Sequence, residues 1–291
     1  MGDLLLGAVA AVMASVLFSV GLVFQSLEAR AVPPGHALRL SLITELLARP
    51  RWVLGCVIMI AGFALHVTAL LLAPLTVVQP SLAAGIVVLL LAGARAERTP
   101  ITQRQALAVL AVSAGVVGLT LTASERQTVT AGAGRLALAL CPLGAVAVLP
   151  FLVTRLGRRW GGALTATLGA GAAYALTGLT TKLVSDRLAQ DDWAGVSLWL
   201  GITVAAAAVA LVDQSAALQR RGAVYVGVTI YVLPVVVPVV LSAAVFREGW
   251  GSSPTSAVLL GLSVATVCAG AAALAGAEHV RALEGASPKT G

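Results

Sequence analysis

The chain has 291 residues, 59% of them hydrophobic and 11% charged, with a formal net charge of +7 and a mean hydropathy of +0.97. A soluble domain carries about a quarter charged residues, so this composition excludes a water-soluble fold. The basic residues are scattered over short loops without interleaved aromatics, which argues against nucleic acid as a partner.

In chain order, nine apolar runs are each long enough to cross about 30 Å of hydrocarbon. They lie near 4–27, 52–72, 75–94, 106–123, 136–153, 163–185, 197–218, 223–246 and 257–276. The first is expected to remain as a span, because Met1-Gly2-Asp3 has no basic flank and the run exceeds the ~7–15 residues of a leader's apolar core. The loop 28–51 contains Leu38 to Leu47, whose pattern suits an amphipathic helix on the cytoplasmic surface. Asp191-Asp192-Trp193 and Arg158-Arg159-Trp160 read as interfacial belts, and the tail 277–291 as disordered. Cys56, Cys141 and Cys268 sit singly in apolar runs and read as packing residues, with no disulfide framework and no metal site.

The loops that alternate with the spans hold fourteen Lys and Arg on one side and four on the other, with Lys182 inside a span. Basic residues in short loops resist translocation, so the N-terminus is predicted outside and the C-terminus in the cytoplasm. Short stretches also recur in order. Gly21-Leu22-Val23-Phe24-Gln25 pairs with Gly178-Leu179-Thr180-Thr181-Lys182, Arg95-Ala96-Glu97 with Phe246-Arg247-Glu248, and Ser113-Ala114-Gly115 with Cys268-Ala269-Gly270, roughly 150 to 157 residues apart. The expected fold is therefore an all-α bundle in three parts. Residues 1–123 form one four-helix repeat, 124–162 carry a linking fifth span, and 163–276 form a second repeat inverted by that odd span.

Polar groups inside spans are costly in hydrocarbon and mark candidate pathways. His66 and Asp213 fall at matching places, Leu65-His66-x-Thr68 against Val212-Asp213-x-Ser215, and both are expected to face the repeat interface. Asp213 is the candidate for proton coupling or for binding a cationic group, and His66 for a proton-responsive or hydrogen-bonding wall; a buried satisfied pair is the alternative. Gln214, Gln79, Gln25, Tyr225 and Tyr231 are further candidate wall residues. Lys182 either touches substrate or pairs with Asp186 one turn on. Pro80, Pro234 and Pro238 each remove a backbone donor and break helices at broadly corresponding positions, while Pro142 and Pro150 bend the linking span. Glu97 and Glu248 stand beside Arg98 and Arg247 and read as structural salt bridges. Metalloprotease, nucleophile-elbow and phosphate-loop signatures are absent, and no enzymatic activity or cofactor is expected.

The Gly21 to Gln25 and Gly178 to Lys182 endings, the segment Leu72-Ala73-Pro74-Leu75-Thr76-Val77-Val78-Gln79-Pro80, and Glu97 and Glu248 followed by Gly115 and Gly270 carry a resemblance over about residues 4–276. In these the chain resembles the drug/metabolite transporter superfamily, which includes EamA-type exporters and NIPA-type magnesium transporters. Seventeen Arg against two Lys resembles its members from high-GC bacteria. The resemblance implies a secondary transporter in the bacterial inner membrane that exports a small polar or amphipathic metabolite, with protons as a coupling ion. EamA-type members typically have five plus five spans, whereas four, one and four is similar to the NIPA branch, which implies a divalent-cation transporter as the alternative. A non-transporting membrane subunit or lipid flippase partner is a third, favoured by an apolar, laterally open cavity with Asp213 turned toward a neighbouring helix.

Overall fold

The computed structural model describes residues 2–29, 31–32, 40–82, 84–85, 87–88, 91, 102–122, 132–156, 162–219, 223–241 and 253–285. Their regular structure is entirely helical: α1 Gly2–Ala29, α2 Leu40–Leu47, α3 Pro50–Leu72, α4 Leu75–Leu82, α5 Gln103–Thr122, α6 Ala133–Arg155, α7 Gly162–Leu188, α8 Trp193–Leu218, α9 Ala223–Leu241 and α10 Pro254–Gly285. In hydrocarbon the backbone must satisfy its own hydrogen bonds, and helices do so within one segment. Four of them, α1, α3, α6 and α8, are long and apolar enough to cross a membrane. Large apolar side chains point outward from them, Leu138 being 79% exposed and Ile60 68%. A surface of this kind suits lipid, and the chain is a membrane protein built from apolar helices.

The expected nine runs appear unevenly. The third, 75–94, is described as one helix only over Leu75–Leu82, about 12 Å of rise. Residues 92–100 and 242–250, with Glu97, Arg98, Arg247 and Glu248, lie outside the described residues, as do the side chains of Pro80, Tyr225 and Tyr231. At the far end α10 continues to Gly285. Residues 277–285, expected to be disordered, are therefore helical; Ala277-Glu278-His279-Val280-Arg281-Ala282-Leu283-Glu284 holds no proline or glycine to stop the helix begun upstream.

Proline sets several ends. Pro50 opens α3 at a position where a missing N–H costs nothing. Pro74 forces Ala73 into an extended conformation, φ −137° and ψ 154°, so α3 stops at Leu72. The chain then re-enters a helix with Val77 and Val78 donating to the Pro74 carbonyl at 3.0 Å. The amphipathic α2 forms where expected, but Leu46 is fully buried in the cluster that holds Trp52, and the Arg49 guanidinium bridges to Glu28 at 3.0 Å. It is thereby tied to the ends of α1 and α3.

Between α7 and α8, Asp191 takes φ 55°, a left-handed conformation that Asp tolerates better than most residues. Asp192 then caps α8, its carboxylate accepting from the Gly195 amide at 3.0 Å and from Arg187 at 2.8 Å. The Gly195 amide first, and Arg187 after it, hold this carboxyl below the usual carboxylate range. A depressed folded value gives stability that is present above the unfolded pKa and lost as pH falls through the folded one. Asp192→Ala should therefore lower the melting temperature at neutral pH, with the gap to wild type closing in strong acid.

Small residues govern helix pairing, as is usual where lipid gives no hydrophobic drive between helices. The pairs α1–α3, α7–α8 and α5–α10 are the most extensive. A Cβ on Gly7 would meet Ala73, one on Gly62 would meet Phe18, and one on Gly21 would meet the Gly55 carbonyl, so α1 and α3 run antiparallel. Likewise Gly115 lies against Val267 and Ser263 while Gly270 lies against Ala108 and Val112, which makes α5 and α10 antiparallel. Beyond these pairs, α1 packs on α4, α7 on α9, α4 on α5, α9 on α10 and α4 on α9, with α6 along α7.

Candidate functional site

A cavity of about 580 Å³ lies between the α1–α3 pair and the α7–α8 pair, with α4 and α9 completing its wall. Most of that wall is apolar, from Phe18, Leu22, Phe63, Val204, Leu211 and Ile230 among others, and among the described residues it contains no Asp, Glu, Lys or Arg. The outer helices α3 and α8 are not a packed pair among the described residues. Their cavity-lining Ile60 and Val204 are 68% and 60% exposed. The cavity therefore reaches the lipid-facing surface between α3 and α8.

One group of polar side chains on the wall is fully engaged. The Gln214 Nε2 donates to Gln25 Oε1 at 2.6 Å, the Tyr174 hydroxyl donates to Gln214 Oε1 at 2.8 Å, and Gln25 Nε2 points to Met59 Sδ at 3.1 Å and Cys56 Sγ at 3.4 Å. This relay joins α1, α3, α7 and α8. Leaving a buried amide unpaired costs about 1–3 kcal/mol, whereas removing both partners costs less. Gln25→Leu and Gln214→Leu are each expected to destabilise the protein by about that amount, and the double variant by less than their sum, with a coupling of roughly 1 kcal/mol in a thermal-unfolding cycle.

A second group has no such partners. Gln79 is buried on α4 with neither amide atom hydrogen-bonded among the described residues, pressed against Gly178, where a Cβ would come within 2.5 Å of its nitrogen. On α3, His66 is buried edge-on to Phe18, ring centroids 6.3 Å apart, and its Nε2 also has no partner among the described residues. Thr177 and Thr203 are on the wall too, but their hydroxyls bond back to carbonyls of their own helices at 2.8 Å.

The sequence candidates thus separate. Gln25, His66, Gln79, Gln214 and Pro234 line the cavity. Asp213, expected to face the same space as His66, does not: its buried carboxylate is turned toward Gly169 of α7 and Pro150 of α6. One residue along a helix is a turn of about 100°, so Asp213 and its neighbour Gln214 cannot share a face. Neither Asp213 oxygen has a hydrogen-bond partner among the described residues. Lys182 is fully buried in an ion pair with Asp186 at 2.8 Å and lies off the cavity wall, as does Pro238. Of the two expectations for Lys182, the pairing with Asp186 is the one found.

Tyr174 escaped sequence reasoning. It directly follows the small-residue run Gly169 to Ala173, where a phenol hydroxyl in hydrocarbon needs a partner, and that need was the available signal. Among the described residues no three of His, Cys, Asp and Glu come together in a way that could hold a metal ion. Comparison with known proteins finds no matching family model, no matching curated protein and no matching solved structure, so the resemblance to drug/metabolite transporters rests on the sequence motifs alone.

Proposed function

We propose that the chain is a secondary transporter that moves a small amphipathic solute out across a bacterial inner membrane by alternating access. The observation that carries this reading is the cavity lying between two helix pairs of matching construction. Exchanging α1, α3, α4 and α5 for α7, α8, α9 and α10 turns α1–α3 into α7–α8, α1–α4 into α7–α9 and α4–α5 into α9–α10, and leaves the α4–α9 and α5–α10 pairs unchanged. Two copies of one bundle related by a two-fold axis have this pattern, and the antiparallel α5–α10 pair favours inversion of one copy. Nine spans, with the N-terminus outside and the C-terminus in the cytoplasm, belong to the same reading, as does a proton-coupling role for Asp213 acting through α8 from behind the wall.

The apolar wall favours an amphipathic cargo over Mg²⁺, which needs several oxygen ligands where the described residues of the wall offer amides and no carboxylate. A second reading, a lipid flippase or its partner subunit, draws support from the lateral opening and from Asp213 facing neighbouring helices. Flux in proteoliposomes tests both. Amphipathic dyes and metabolites are expected to move with wild type, and their pH dependence to disappear in Asp213→Asn. Movement of a fluorescent lipid alone transfers support to the flippase. If no solute or lipid in a broad panel moves, the transport proposal fails.

A further inference from the structure

We infer that the cavity takes an uncharged amphipathic molecule directly from the bilayer, through the opening between α3 and α8, and holds its hydrogen-bonding head at Gln79 and His66. This deepens the transporter reading and rests on its identification of the cavity as the cargo site. Three observations carry it. Among the described residues the wall has no ionised side chain of the Asp, Glu, Lys or Arg type, so an ion entering it is stripped of water without a countercharge from them. The opening faces lipid, with apolar Ile60 and Val204 at its rim. Gln79 and His66, 1% and 4% exposed, are among the residues that line the cavity, and each carries a buried polar atom with no partner among the described residues, at a cost that a ligand reaching it relieves.

The chemistry of these groups narrows the ligand. Gln79 presents both a donor and an acceptor, and the His66 Nε2 either donates or accepts according to tautomer. A hydroxyl or a carboxamide satisfies both kinds of partner. A cavity near 580 Å³ is of a size that encloses a drug-sized molecule, and its apolar faces on α3 and α8 receive a chain or ring system. The other amide pair, Gln25 and Gln214, is already engaged and stands as a wall, leaving the head group to the unpartnered set.

The test uses the full chain in lipid nanodiscs and a diazirine-bearing dodecanol, with dodecanoate and dodecyltrimethylammonium as charged counterparts. Photolabelling and peptide mapping should place adducts on the cavity faces of α3 and α8, around Met59 to Phe63 and Val204 to Leu211. Unlabelled dodecanol should compete and the two charged analogues should not. Gln79→Leu should reduce cavity labelling about tenfold, the worth of one neutral hydrogen bond in a dry site. Val204→Trp, a change on a lipid-exposed rim that leaves every polar group in place, should block it as well.

Equal competition by the charged analogues overturns the proposal. So does labelling that persists in both variants, or labelling confined to outward residues such as Leu138. Cavity labelling without flux of any solute removes the transporter reading and leaves the ligand class standing. Flux of a charged solute with the alcohol excluded does the reverse.

Discussion

Lys182→Met is expected to destabilise the protein by about 3–5 kcal/mol, because it removes the cation 2.8 Å from a buried carboxylate. Lys182 is 0% exposed and the Asp186 side chain 5%, with 2.8 Å between the charged atoms. Burying such a pair gives little net stability, since desolvation offsets the attraction, but removing one member leaves the other buried without that attraction. Lys182→Met combined with Asp186→Leu should accordingly recover most of the loss. Thermal unfolding of wild type and the two variants in nanodiscs, followed by circular dichroism, measures this. A single variant as stable as wild type is incompatible with the pair being buried. Transport should follow stability here, because neither residue lies on the cavity wall.

The next largest effect is expected at the α5–α10 pair. A Cβ on Gly270 would stand 2.7 Å from the Ala108 carbonyl oxygen, and one on Gly115 would stand 2.8 Å from the Ser263 carbonyl oxygen and 2.6 Å from Val267 Cγ2. Backbone oxygens cannot step aside, so the helices must separate. Gly115→Ala and Gly270→Ala are each expected to cost about 1–3 kcal/mol, as overpacking does. The two losses should be similar, because each glycine meets the other's helix in the same way. Gly261→Ala on α10 is the control: nothing lies within 4 Å of its Cβ, and helix propensity predicts a gain of up to about 1 kcal/mol. Unequal losses at the two glycines would argue against an internal duplication.

The parts of this molecule legible in its sequence are those governed by local rules. Long apolar runs announced α1, α3, α6 and α8, Pro50 and Pro74 fixed the limits of α3, and the spacing of Lys182 and Asp186 gave their ion pair. Gln25, His66, Gln79 and Gln214 were readable as wall candidates because a polar group in an apolar run must face something other than lipid. Which of two adjacent polar residues turns inward was not readable. Asp213 and Gln214 are both buried on α8, and the choice depends on α6 and α7 packing behind that helix while α1 packs in front. The glycine pairs behave unequally for a similar reason. Gly115 and Gly270 exchange roles across one interface, whereas Gly21 meets α3 and Gly178 meets Gln79 of α4. A short repeat preserves residue type more readily than it preserves the neighbour.

A cavity wall whose described residues include no Asp, Glu, Lys or Arg also has an electrical meaning. Each elementary charge carried across a membrane couples to the potential by about 2.3 kcal/mol per 100 mV. Under the proposed alternating access, wall side chains that carry no charge would bring no gating charge, and an uncharged cargo would add none. Any response of the proposed transport to voltage would then report the coupled ion and not the cargo.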